Sequence, residues 1–171
     1  MDDILEFGIK RDNEERRDGG CAVVFDPVNQ KYAVGKLPDG NLWLFSGGVE
    51  EGEDIREGVL REVREESGLY DFLYIEKIAE ALAHYRNPLK NVNRVAHTTC
   101  FLVILKSMNL ESTKLEEHEK FVLTWLGARE ILDSFELRNK KDQGSGHWIY
   151  YLKKSVARAK ELGYDKTSQI D

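Results

Sequence analysis

The most informative part of the chain is a glycine-rich, acidic stretch. It reads Gly47-Gly48-Val49-Glu50-Glu51-Gly52-Glu53-Asp54-Ile55-Arg56-Glu57-Gly58-Val59-Leu60-Arg61-Glu62-Val63-Arg64-Glu65-Glu66-Ser67-Gly68-Leu69. The first glycines predict a turn, and Asp54 and Gly68 predict the N-cap and the C-terminal cap of a short helix. Because a helix turns by about 100° per residue, Glu62 and Glu66 lie within about 40° of each other, with Glu65 about 60° to the other side. Three carboxylates therefore converge on one edge of this helix.

The apolar side chains of the same helix form a neighbouring stripe, which consists of Ile55, Val59, Leu60 and Val63. Packing this stripe against a sheet would hold the carboxylates at the rim of the core. Gly58 lies on the carboxylate edge, where it costs about 1 kcal/mol of helix propensity relative to alanine and leaves room for an ion or a phosphate. Crowded carboxylates repel unless a cation lies between them, and hard oxygen ligands at this density suit Mg²⁺ or Mn²⁺.

This stretch resembles the Nudix box, whose pattern is Gly-x5-Glu-x7-Arg-Glu-U-x-Glu-Glu-x-Gly-U, where U is an aliphatic residue. The chain matches all fixed positions, with Gly47, Glu53, Arg61, Glu62, Val63, Glu65, Glu66, Gly68 and Leu69. So many constraints within one short segment make the motif specific. The wider resemblance extends from about Gly19 to Phe135 and includes Trp43 ahead of the box. One departure is Phe45-Ser46, where many members of the family have Pro-Gly.

The resemblance implies an α/β/α sandwich around a central mixed sheet. It also implies an enzyme that uses Mg²⁺ or Mn²⁺ to hydrolyse a phosphoanhydride bond in a nucleoside diphosphate-linked substrate. By position, the implied metal ligands are Glu62, Glu65, Glu66 and the carbonyl of Gly47. Arg61 would pair with Glu53 and hold the loop against the helix. The implied catalytic residues of the box are Glu62, Glu65, Arg61 and Glu53, and the general base comes either from the box or from a glutamate on a later loop.

A second acidic stretch, Glu116-Glu117-His118-Glu119-Lys120, precedes a predicted strand that contains Trp125. It is similar to the Glu-His segment followed by an aromatic residue and Trp-Leu in dinucleoside tetraphosphate hydrolases of the Nudix superfamily, with one additional residue in the spacing. The resemblance favours Glu117 as the late-loop ligand or base, because it precedes His118, and it favours His118 as a phosphate contact. Glu116 and Glu119 are the alternatives, and so is an acidic loop without function before a buried Trp125.

An acidic enzyme needs cations and an aromatic surface near the metal to hold a phosphorylated base. The predicted substrate contacts are Lys36, Tyr85, Arg86, Lys90 and Arg94, in addition to His118. Ordinary solvent exposure is the alternative for each of them. Dinucleoside polyphosphates, nucleoside triphosphates and nucleotide sugars such as ADP-ribose all stay open as substrates, because specificity lies in loops outside the box.

Outside the box, strand patterns and helix patterns are mixed along the chain. We predict strands at 21–25, 31–35, 42–45, 72–85, 94–105 and 121–126, and helices at 128–135 and 147–162. This order predicts a layered α/β domain around a mixed sheet. Residues 1–18 are charge-rich and predict an exposed N-terminal extension or hairpin without an assigned function, so that residues 19–171 form a single domain.

The composition excludes several classes of protein. A chain of 171 residues with 41% hydrophobic content supports one core, and a net charge of −6 argues against binding to an extended nucleic acid. The partner is instead predicted to be a small nucleotide. Cys21 and Cys100 are predicted to be buried, reduced thiols. No positively charged start precedes an apolar segment, and no apolar run approaches about 18 residues, which predicts no membrane contact and a cytoplasmic location.

Three functional hypotheses follow. The first is an active pyrophosphohydrolase, which the intact box favours. The second is a noncatalytic Nudix domain that binds a nucleotide as a sensor or an accessory module, although such degenerate modules commonly lose box carboxylates and this chain has lost none. The third is an acidic interaction domain with a solvated helix face, in which Glu57, Arg61 and Glu65 pair at i, i+4 spacing. That hypothesis leaves the matched box positions to chance.

Overall fold

The computed structural model describes residues 3–171, which form one mixed sheet with helices on both of its faces. The strands are β1 (Leu5–Gly8), β2 (Glu15–Arg16), β3 (Gly19–Asp26), β4 (Lys31–Lys36), β5 (Leu42–Trp43), β6 (Phe45–Gly48), β7 (Phe72–Asn87), β8 (Val92–Leu105) and β9 (Val122–Leu126). The helices are α1 (Ile55–Ser67), α2 (Ala128–Asp142) and α3 (Gly146–Glu161). The main strand order is β1-β7-β8-β3-β4-β5, while β2 pairs with β8, β6 with β3 and β9 with β4.

Strand β3 is the centre of the molecule and is buried along its whole length. Alternate side chains of a strand point to opposite faces of the sheet, so this one strand contributes to two cores. Cys21, Val23 and Phe25 pack in the core that includes residues of α2 and α3, whereas Ala22 and Val24 pack in the core that includes residues of α1. The predicted α/β/α sandwich with a mixed sheet is confirmed.

The longest strands, β7 and β8, form an antiparallel hairpin beside β3. Their pairing continues to Asn87 and Val92, so the connection is shorter than the predicted strands at 72–85 and 94–105 would leave. Asn91 adopts a positive φ of 52° in this turn, a conformation that asparagine tolerates better than most residues. The two strands therefore stay paired up to the turn that connects them.

Two predicted elements differ in extent from the structure. The strand expected at 42–45 is split, because β5 pairs with β4 whereas β6 pairs with β3. The helix expected at 128–135 continues to Asp142. Its last turns are poor in apolar residues, but the Arg138 guanidinium packs over the ring of Trp43, a tertiary contact that helical periodicity does not reveal. Within residues 3–171, no helix combines the length and apolar content that a membrane crossing requires.

The N-terminal segment adds two short strands to the sheet. β1 lies parallel to β7, and β2 lies parallel to β8. The expectation of an N-terminal hairpin is therefore corrected, since each strand pairs with the long hairpin of the domain. Most side chains of both strands are exposed, as expected for the edge of a sheet. The division of the chain at residue 18 stays a prediction, and its first two residues lie outside the described part.

Candidate active site

Helix α1 carries the acidic residues of the box and is anchored at both ends. The Asp54 carboxylate accepts two backbone N–H hydrogen bonds from the first turn, at 3.0 and 3.2 Å, and an N-cap of this kind stabilises a helix by about 1 kcal/mol. Gly68 ends the helix with a φ of 82°. The apolar stripe is buried against the sheet through Val59, Leu60 and Val63. Both predicted caps are thus confirmed, and the packing fixes which edge of α1 faces β6.

Three carboxylates from two segments meet at this edge. Glu62 and Glu66 come from α1 and Glu119 from the loop before β9, and one oxygen of each lies within 4.8 Å of the others. Glu66 is only 4% exposed, and its Oε1 accepts a hydrogen bond of 2.9 Å from the backbone N–H of Ser46 in β6. The cluster therefore lies between the helix, the sheet and the late loop, and it does not include Glu65, which the box pattern predicted as a metal ligand.

Burial makes negative charge costly in this cluster. It raises the pKa of Glu66 to about 9, against the hydrogen bond from Ser46 and with further contributions from Glu119 and Glu62. Burial likewise raises the pKa of Glu62, although the charge and hydrogen bond of Arg61 oppose it. A divalent cation between these oxygens would remove their repulsion, and a set of carboxylate donors at the rim of the core fits Mg²⁺ or Mn²⁺.

Arg61 joins the glutamates of the box into one network. Its Nε and Nη2 donate to the two oxygens of Glu53 at 2.9 and 3.2 Å, while its Nη1 donates to Glu62 at 2.9 Å and to Glu65 at 3.2 Å. The hydrogen bond to Glu53 is the main reason why the pKa of Arg61 is raised and that of Glu53 is lowered. A planar guanidinium fixes the carboxylates that it bridges, so Arg61 orients Glu62 toward the cluster.

Two glycines make this packing possible, in different ways. A Cβ on Gly47 would overlap the Glu62 carboxylate, so the backbone of β6 approaches the cluster only because that position has no side chain. A Cβ on Gly58 would lie 2.8 Å from Oε1 of Glu53. The space beside Gly58 is therefore occupied by the carboxylate that Arg61 holds, which corrects the expectation that an ion or a phosphate would occupy it.

The late acidic loop contributes Glu119 rather than Glu117. The backbone N–H of Glu119 donates to the carbonyl of Glu116 at 2.9 Å, which closes a turn with Glu117 and His118 at its apex. Both apex side chains are exposed, and His118 lies 3.5 Å from the carboxylate of Glu116. The turn directs the apex residues toward solvent, and Glu119 is the residue that reaches α1.

A cleft of about 570 Å³ lies beside the box, with Gly47 and Gly48 in its wall. The cationic and aromatic residues of its lining are Arg11, Arg17, Arg86, Arg138, Trp43, Tyr85, Trp148 and the two histidines His84 and His147. The Cζ atom of Arg138 lies 4.6 Å from the ring centroid of Trp43 and 5.4 Å from that of Trp148. Within residues 3–171, Arg11, Arg17 and Arg86 have no carboxylate partner at ion-pair distance. The cleft thus offers unpaired cations next to an acidic cluster.

Comparison with known proteins agrees with this geometry. The family model described as "NUDIX domain" matches residues 17–152. The chain belongs to the Nudix family. Nudix hydrolase 7 of Arabidopsis thaliana is 33% identical to it over 131 residues, which cover 73% of this chain and 43% of that protein. The chain therefore spans less than half of the length of this relative.

Solved structures support the fold of the Nudix domain. The solution structure of the E. coli ORF135 protein has a TM-score of 0.53 at 18% identity. The match covers 88% of this chain and 96% of the ORF135 chain. The NUDIX domain of Shewanella oneidensis NrtR, solved in complex with ADP-ribose, has a TM-score of 0.57 at 17% identity, and covers 86% and 90%. At such identities the likeness concerns the fold alone.

The residues predicted to bind substrate divide into two groups in this Nudix domain. Tyr85 and Arg86, near the tip of the β7–β8 hairpin, line the cleft. The residues outside its lining are Lys36, Lys90, Arg94 and His118. Lys36 pairs with Leu42 and Val122 at the end of β4, and Arg94 is buried, 3.8 Å from the carboxylate of Glu15. The structure therefore does not support a substrate contact by any of these four residues.

Sequence reasoning missed several residues of the cleft. Arg11 and Arg17 belong to the segment that had no assigned function, and Arg138 lies beyond the predicted end of α2. Trp43 was noted only as part of the family resemblance, and Trp148 falls within the helix predicted at 147–162. These residues are arginines and tryptophans that are scattered along the sequence without a common motif. Such a distribution does not identify a binding site. Only the tertiary fold brings them together.

The close approach of Gly47 to Glu62 leads to a first prediction. We expect Gly47→Ala to lower kcat by about 10- to 100-fold, equivalent to about 1.4–2.7 kcal/mol, because the new methyl group displaces the Glu62 carboxylate. Circular dichroism should show a retained fold. Gly127→Ala is the matched control, since its Cβ would meet only Glu130 at 3.6 Å. Equal kcat values for the two variants would contradict a constraint on Glu62 by Gly47.

Proposed function

We propose that this Nudix domain hydrolyses a phosphoanhydride bond in a nucleoside diphosphate-linked substrate with the help of Mg²⁺ or Mn²⁺. The observation that carries the proposal is the cluster of Glu62, Glu66 and Glu119 oxygens within 4.8 Å of one another, next to a cleft lined with arginines. An acidic cluster binds a divalent cation, and unpaired arginines bind phosphate oxygens. Together they fit a pyrophosphate group whose negative charge a bound divalent cation and the arginines would neutralise.

In the proposed reaction, water attacks one phosphorus of the pyrophosphate, and the bond from that phosphorus to the bridging oxygen breaks. A divalent metal bound at this cluster would supply polarisation of the phosphoryl oxygens and a lower pKa for a coordinated water. Glu62 and Glu66 would hold the metal, and Arg61 keeps Glu62 oriented through their hydrogen bond of 2.9 Å. Glu119 is the preferred general base, because it approaches the cluster from a loop and is less buried than Glu66. Its carboxylate would accept a proton from the attacking water.

The cleft supports a nucleotide as the partner of this Nudix domain. Its volume of about 570 Å³ falls within the range of about 300–1,000 Å³ that is typical of small-molecule sites. The rings of Trp43, Tyr85 and Trp148 provide aromatic surface, and the arginines provide charge for phosphates. The complex of the NrtR Nudix domain with ADP-ribose makes a nucleoside diphosphate sugar the first compound to test. The cytoplasmic location stays a prediction.

A substrate screen tests the proposal. We expect purified protein with Mg²⁺ or Mn²⁺ to release nucleoside monophosphate or phosphate from at least one of ADP-ribose, diadenosine tetraphosphate and the nucleoside triphosphates. Excess EDTA should abolish this release, and added metal should restore it. Turnover that persists in EDTA would contradict the metal-dependent mechanism. Tight binding of a nucleotide without any turnover would instead favour the noncatalytic sensor.

A further inference from the structure

The N-terminal segment forms one wall of the cleft, since Arg11, Arg17 and Asp18 belong to its lining. Arg17 lies close to the box itself, because a Cβ on Gly48 would be 2.9 Å from its Nη2. Gly48 directly follows Gly47, whose backbone approaches the Glu62 carboxylate. A guanidinium at this place is suited to a phosphate group that also reaches the acidic cluster.

In addition to its pairing with β7 and β8, the same segment is held on the domain by one histidine. His84 of β7 is 4% exposed, and its two ring nitrogens face two different carboxylates. Nδ1 lies 2.9 Å from both oxygens of Glu14, and Nε2 lies 2.5 Å from Oε1 of Glu6. Because ionised carboxylates only accept hydrogen bonds, both nitrogens must donate, and the ring must be an imidazolium.

This arrangement connects His84 directly to the arginines. Glu14 also accepts a hydrogen bond of 2.9 Å from the backbone N–H of Arg11, so its carboxylate links the histidine to the turn that carries Arg11. Its side chain is 8% exposed, whereas that of Glu6 is 57% exposed. The interaction of His84 with Glu14 is thus the more shielded of the two, and it holds the part of the segment that faces the cleft.

We propose that His84 is a positioning residue that clamps residues 5–14 onto β7, beside β2 on β8, and that the segment thereby presents Arg11 and Arg17 to the phosphate groups of the substrate. The proposal rests on the proposed function for the identity of the ligand. It assigns a binding role to a segment whose sequence indicated none. His84 also lines the cleft, but Glu14 and Glu6 engage both of its ring nitrogens, so it acts on the phosphates through the two arginines.

The electrostatics of the clamp define a pH range in which it is complete. Burial alone would lower the pKa of His84, but Glu6 and Glu14 outweigh it and raise this pKa. Burial would raise the pKa of Glu14, but the Arg11 N–H, His84 and Lys10 together lower it. The residue opposite His84 on β8 is the uncharged Val95. Stabilisation by the clamp is therefore lost when the pH rises through the raised pKa of His84, or falls through the lowered pKa of Glu14.

The first part of the test measures how strongly variants of the N-terminal segment and of His84 bind a nucleotide. Calorimetry with ADP-ribose and Mg²⁺, using catalytically impaired Glu66→Gln as the common background, should give a Kd that is roughly tenfold higher for Arg11→Gln, Arg17→Gln and His84→Gln. Glu14→Gln should resemble His84→Gln. His97→Gln on β8, outside the cleft lining, is the control and should leave Kd unchanged.

Combining His84→Gln with Arg17→Gln should weaken binding by less than the product of the single effects, because the histidine acts through the arginine.

Two structural measurements separate a clamp from a general effect on folding. Hydrogen exchange at the amides of residues 5–8 should accelerate in His84→Gln but not in His97→Gln. NMR titration of wild type should give His84 a pKa above about 6.5. If this exchange is unchanged, or if neither arginine variant weakens binding, the proposal is overturned. It is also overturned if wild type binds neither ADP-ribose nor inorganic pyrophosphate. Binding without hydrolysis contradicts only the proposed function and leaves the clamp intact.

Discussion

Replacing Glu66 by glutamine is expected to lower kcat by at least about 100-fold, equivalent to about 2.7 kcal/mol of lost transition-state stabilisation. The amide has almost the same shape as the carboxylate and can still accept the hydrogen bond from the N–H of Ser46, which is 2.9 Å long. It lacks the negative charge that a divalent metal needs. Glu62→Gln is expected to behave in the same way, because its oxygen belongs to the same cluster.

Stability measurements should accompany these kinetics. Glu66 is 4% exposed and burial raises its pKa to about 9, so the metal-free carboxyl is already neutral near pH 7, and the neutral amide should leave the metal-free Tm nearly unchanged. The rise in Tm on addition of Mg²⁺ or Mn²⁺ should shrink or disappear, since the folded state then binds the metal less tightly. Glu57→Gln, on an exposed face of the same helix, is the matched control. A near-normal kcat in both Glu62→Gln and Glu66→Gln would contradict a metal site on α1. The acidic residues of α1 would then be an ordinary solvent-exposed helix face.

Glu119→Gln is expected to lower kcat and kcat/KM together, by about 10²- to 10⁴-fold if Glu119 is the general base. Such a residue acts chiefly in the transition state, so KM should change little. Glu117→Gln is the matched control, because Glu117 lies in the same loop and is exposed at the apex of the turn. This prediction reverses the preference for Glu117 that the Glu-His resemblance suggested.

Steady-state kinetics of the two loop variants distinguish the alternatives. A large loss in Glu117→Gln with normal turnover in Glu119→Gln would mean that the loop rearranges when substrate binds. Normal turnover in both would place the general base within the box. Adding His118→Ala tests the dinucleotide resemblance, which predicts a higher KM for diadenosine tetraphosphate and an unchanged KM for a mononucleotide. The exposed position of His118 makes an unchanged KM for both the expected result.

Local chemistry made α1 and the sheet predictable from sequence. Asp54 and Gly68 signal the two ends of the helix through rules that concern only neighbouring residues, and both caps form as expected. The β-branched and aromatic runs of 72–85 and 94–105 likewise correspond to β7 and β8. The pairing of Arg61 with Glu53 followed from the family resemblance and is present at 2.9 Å.

The rest of the site depends on contacts between residues that are distant in sequence. Whether Glu117 or Glu119 faces α1 is decided by a single turn, and an acidic loop gives no periodic signal for its direction. Arg11 reaches the cleft only because β1 pairs in parallel with β7, and a four-residue edge strand leaves little trace in the sequence. The sequence predicted an ion or a phosphate beside Gly58, whereas the structure has the Glu53 carboxylate there. The position of that side chain depends on how the loop folds back onto the helix.

Isotope labelling of the product tests the central claim most directly. The hydrolysable substrate found in the screen is incubated with enzyme and Mg²⁺ in ¹⁸O-enriched water, and the products are examined by ³¹P NMR. Water attack on phosphorus predicts one ¹⁸O atom on a product phosphate, shown by its shifted resonance, and no such product in EDTA. For Glu66→Gln the labelled product should form at least about 100-fold more slowly than with wild type. Products without ¹⁸O on phosphorus, or the same labelling in EDTA, would contradict metal-dependent phosphoanhydride hydrolysis at this cluster.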